Sequence, residues 1–83
     1  MQDISNAKGG KVCFDGGDFE ITGAGSRNDG IVEVKQGQIN LKLKDNTGTI
    51  TIADGVTGVV MLCKESGKTE NKGKVTVTIN PGE

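Results

Sequence analysis

Histidine, tryptophan and tyrosine are absent from this 83-residue chain, and it has one proline, two phenylalanines and two cysteines. Without histidine, the common general base near neutral pH and the usual partner of a Ser or Cys nucleophile are missing, so the sequence argues against an enzyme. The scarcity of aromatics removes the stacking platform of single-strand nucleic-acid readers. Nothing approaches the roughly 18 consecutive apolar residues of a membrane-spanning helix, and the polar start, Met1 to Lys11, has no signal-peptide core. The chain therefore reads as soluble, without a signal peptide, and cytoplasmic or virion-borne. Its net charge is -1, with Lys and Arg spread among Asp and Glu, which predicts no nucleic-acid partner and no membrane partner.

Cys13 and Cys63 lie fifty positions apart, which excludes CxxC metal and redox motifs. Two thiols without histidine cannot complete the usual four-ligand zinc site within one chain, so neither a metal nor a cofactor is expected. A Cys13–Cys63 disulfide would close a long loop and suit an oxidising compartment. The favoured alternative is two half-buried thiols in strands.

What is present is period-two alternation punctuated by fourteen glycines. Residues 1–10 read as a flexible arm, and residues 11–83 as a single β domain. Val12 and Phe14, a Gly16-Gly17 turn, then Phe19 and Ile21 give a hairpin pattern with all four apolar side chains on one face. Val32 and Val34 meet Ile39 and Leu41 across Gln36-Gly37 in the same way. The Asp45-Asn46-Thr47-Gly48 turn sets Leu43 against Ile50. No window carries helical spacing. The expectation is a helix-free, all-β fold: a small antiparallel β-sandwich, immunoglobulin-like in architecture, or a partly open barrel of about seven short strands.

Asp15 and Asp18 invite a paired-carboxylate reading, or a calcium site with Asn28, Asp29 and Asp45, but all are ordinary turn residues. Gly67-Lys68-Thr69 lacks the spacing of a phosphate-binding loop. Lys42, Lys44, Lys64, Lys68, Lys72 and Lys74 form a basic set diluted by Glu65 and Glu70.

The segment Val59, Val60, Met61, Leu62 and Cys63 differs from the rest because both alternating faces are apolar, so it is the candidate interaction surface. In general character the chain is similar to small accessory proteins of bacteriophage particles and to β-sandwich modules of bacterial surface structures. That likeness implies a non-enzymatic structural or assembly protein acting by self-association as a homo-oligomer. The alternative is a small protein-binding or inhibitory module, such as a phage-encoded blocker of a host protein, whose loops recognise a protein partner.

Overall fold

The computed structural model describes residues 4–21 and 25–81. Among them there is no helix, and eight strands form: β1 (Ser5–Asn6), β2 (Lys11–Ile21), β3 (Arg27–Asn28), β4 (Ile31–Asn46), β5 (Thr49–Ile52), β6 (Thr57–Glu65), β7 (Lys68–Asn71) and β8 (Lys74–Ile79). Every pairing between them is parallel.

The registers show how the chain winds. Asn6 lies beside Asn28, Asn28 beside Asn46, and Asn46 beside Glu65. A second side stacks Val12, Val32, Ile50 and Thr69 in one column. A third stacks Ile21, Leu41, Val60 and Val77. The chain returns to each side once per turn, giving four stacked coils: residues 4–21, 26–44, 45–63 and 64–81. This is a parallel β-solenoid, and it replaces the expected antiparallel sandwich or barrel.

The reason for the difference lies at the glycine corners. Gly16, Gly17 and Gly37 all have positive φ, but they bend one strand round a corner instead of folding two strands into a hairpin. The register of β2 on β4 shifts between Phe14 and Asp18, where the corner takes up extra residues. Phe14 and Phe19 still approach, with ring centroids 4.5 Å apart, because both point inward from adjacent sides.

Side-chain alternation thus serves the coil as it would serve a hairpin. Val32, Val34, Ile39, Leu41, Leu43, Ile50, Ile52, Val56, Val60 and Leu62 are all buried in one core. Each fully buried aliphatic contributes about 1.5–3 kcal/mol relative to exposure. Of the segment read as an arm, residues 1–3 lie outside the described residues, whereas Ile4 enters the core and Ser5-Asn6 pairs with Arg27-Asn28. Residues 4–10 therefore belong to the first coil.

Candidate interaction surfaces

At the corner between the first and second sides, each coil carries an amide or carboxylate two to four residues before a glycine. Asn6 Nδ2 donates to Asn28 Oδ1 at 2.9 Å, Asn28 Nδ2 to Asn46 Oδ1 at 2.8 Å, and Asn46 Nδ2 to Glu65 Oε1 at 2.7 Å. The same three amides also donate to the backbone carbonyls of Ile31, Thr49 and Lys68, one column of the neighbouring side. The three asparagines are buried. The result is a ladder with a direction, in which every NH2 points toward the fourth coil.

Glu65 ends it. Its carboxylate accepts from Asn46, from the Gly67 amide at 3.2 Å and from Thr69 Oγ1 at 2.5 Å, and an ionised carboxylate has no hydrogen to pass on. Tight stacking of the corner excludes side chains from the glycine column: a Cβ on Gly48 would collide with Gly30 O, and one on Gly67 with Gly48 O.

Outside this corner, Arg27 Nε and Nη2 both donate to Asp29 at 3.1 Å, and Thr47 Oγ1 donates to Asp29 Oδ1 at 2.6 Å. The bond from Arg27, then that from Thr47, holds the Asp29 carboxyl below its ordinary range. On the fourth coil Lys68 does the same to Glu70, its Nζ lying 2.7 Å from Oε1.

The candidate surface at 59–63 divides. Val60 and Leu62 are fully buried, so they are core, whereas Val59 is 42% exposed and Met61 and Cys63 are half-buried on the outer face. That row lies between Asn40 and Lys42 of β4 and Thr76 and Thr78 of β8. Cys13 and Cys63 are both free thiols: Cys13 sits on the second side of the first coil, and Cys63 follows the third side of the third coil. The disulfide is therefore not formed, because the coil sets the two residues on different sides.

Asp15 is held by Gln36 Nε2 at 2.7 Å, while Asp18 occupies the outer column of Gln38, Thr57 and Lys74, so the two do not face one another. Lys42 lies on the third side and Lys68 on the second, and the basic set is spread over separate faces. No helix among the described residues is long and apolar enough to cross a membrane. Compared with protein-family models, curated proteins and solved structures, the chain matches none.

The amide ladder escaped the sequence reading, although a trace of it was there. Asn28-Asp29-Gly30, Asn46-Thr47-Gly48 and Glu65-Ser66-Gly67 recur at a near-constant interval, each followed by alternation.

Proposed function

We propose that this chain is a non-enzymatic structural or assembly protein, of the kind found in phage virions or bacterial surface structures, that works by self-association of its coil. The observation that carries this reading is the pair of open sheet edges. β1 and β2 each pair only with the second coil, and β7 and β8 each pair only with the third, so no described strand satisfies their outer edges. Unpaired parallel edges on an otherwise satisfied body favour strand addition. The outward row Val59, Met61 and Cys63 adds a second surface on which copies can meet. Light scattering across a concentration series tests the reading: mass should rise with concentration. A monomer at every concentration, joined to an unrelated protein in a one-to-one complex, would favour the binding or inhibitory module instead.

A further inference from the structure

We propose that the fourth coil of one copy docks on the first coil of another, prolonging the solenoid, and that Glu65 is the mismatch that keeps this stack weak. The proposal rests on the assembly reading above and names its geometry.

The occupant is a second copy because the two ends match column by column. One outer column begins at Asp18 and passes through Gln38 and Thr57 to Lys74, so stacking tail on head sets Lys74 beside Asp18 of the next copy. Its neighbour begins at Glu20 and ends at Thr76, a hydroxyl donor for that carboxylate. Inside, the columns running from Phe19 to Val75 and from Ile21 to Val77 continue apolar on apolar. Phe19 and Val77 are only partly buried at their ends, and a further coil would cover them. Both ends also follow the same path, since the first and fourth coils are rungs of one ladder system. Lys11 over Lys68 opposes the stack, but Lys68 is already engaged by Glu70.

At the ladder corner the junction fails. Every internal step is an NH2 donating to an oxygen, and Asn6 Oδ1 at the head accepts from no described residue. The group above it would be the Glu65 carboxylate, so acceptor faces acceptor. Copies that stack must leave this rung unbonded.

The test is analytical ultracentrifugation of the 83-residue chain and variants, with circular dichroism as the control for folding. Glu65→Gln supplies the missing NH2 and should tighten association roughly two- to tenfold, the worth of one net hydrogen bond. Lys74→Glu and Asp18→Lys should each weaken it, because like charges then meet, and the double variant should restore it. Failure of the double variant to recover, or Glu65→Gln without effect, overturns the stack. If association is lost instead on Val59→Lys, copies meet through the outer face: the stack is then refuted while the assembly reading stands. A wild-type chain and a Glu65→Gln variant that both stay monomeric at every concentration overturn both.

Discussion

Asn28 is the residue on which the corner depends most. It is fully buried, accepts from Asn6 and from the Gly30 amide, and donates to Asn46 and Thr49. Asn28→Ala removes all of these and leaves Asn46 Oδ1 without its ladder donor, a loss on the order of 3 kcal/mol. Urea denaturation measures it, and the loss should exceed that from Asn6→Ala, since Asn6 receives no bond from a rung above. The exposed carboxylates give a different forecast. Asp29 and Glu70 titrate below the usual range in the folded state, so their contribution is present above the unfolded-state value and is lost as pH falls through the folded one. Carboxyl carbon shifts followed by NMR should place both midpoints low, and Arg27→Gln should move that of Asp29 back up while leaving Glu70 unchanged. Both pairs are surface pairs, so global stability should hardly respond.

Among the elements, the corners separate what was legible in the sequence from what was not. Alternation identifies Val32, Val34, Ile39, Leu41, Leu43 and Ile50 as sharing an apolar face, and all are buried. Period two reports inside or outside, but it is silent about which neighbouring strand supplies the hydrogen bonds. A glycine turn after Phe14 suits both a reversal and a bend, so the hairpin reading and the coil share the same core list. At 59–63 the same ambiguity merged core and surface, since alternation cannot say which apolar face lies outward. Glycines at the first corner give the element-scale test. Gly48→Ala sets a methyl against the Gly30 carbonyl between adjacent coils and should cost on the order of 3 kcal/mol or prevent folding. Gly25→Ala, away from that corner, meets no described residue within 4 Å and should fall within about 0.5 kcal/mol of wild type. Equal effects in thermal melts would contradict the stacked corner.

Taken whole, the molecule is a short column whose coils each touch mainly the coil above and below. The main contacts run from β2 to β4, from β4 to β5 and β6, and from β6 to β8. Stability in such an array is distributed along one axis, and terminal coils open more readily than central ones. Hydrogen exchange should therefore be slowest at Val32, Val34, Ile50 and Ile52, and faster across β2, β7 and β8. An even protection pattern would argue for a globular sheet instead. The parallel order across the chain is not legible from alternation, because Asn28-Asp29-Gly30 and Asn46-Thr47-Gly48 serve equally well as local turn chemistry.

The directed ladder also makes length a countable property of this fold. Residues 45–63 make one complete coil between the second and the fourth, so a second copy of that segment inserted after Cys63 would sit in the same register between residues 45–63 and residues 64–81. The new coil would carry its own Asn-Thr-Gly corner, accept from Asn46 and donate to Glu65. It should raise the column by one strand spacing, about 4.8 Å, without disturbing either end. The protein is in that sense a ruler graduated in turns, and its carboxylate rung marks where the count stops.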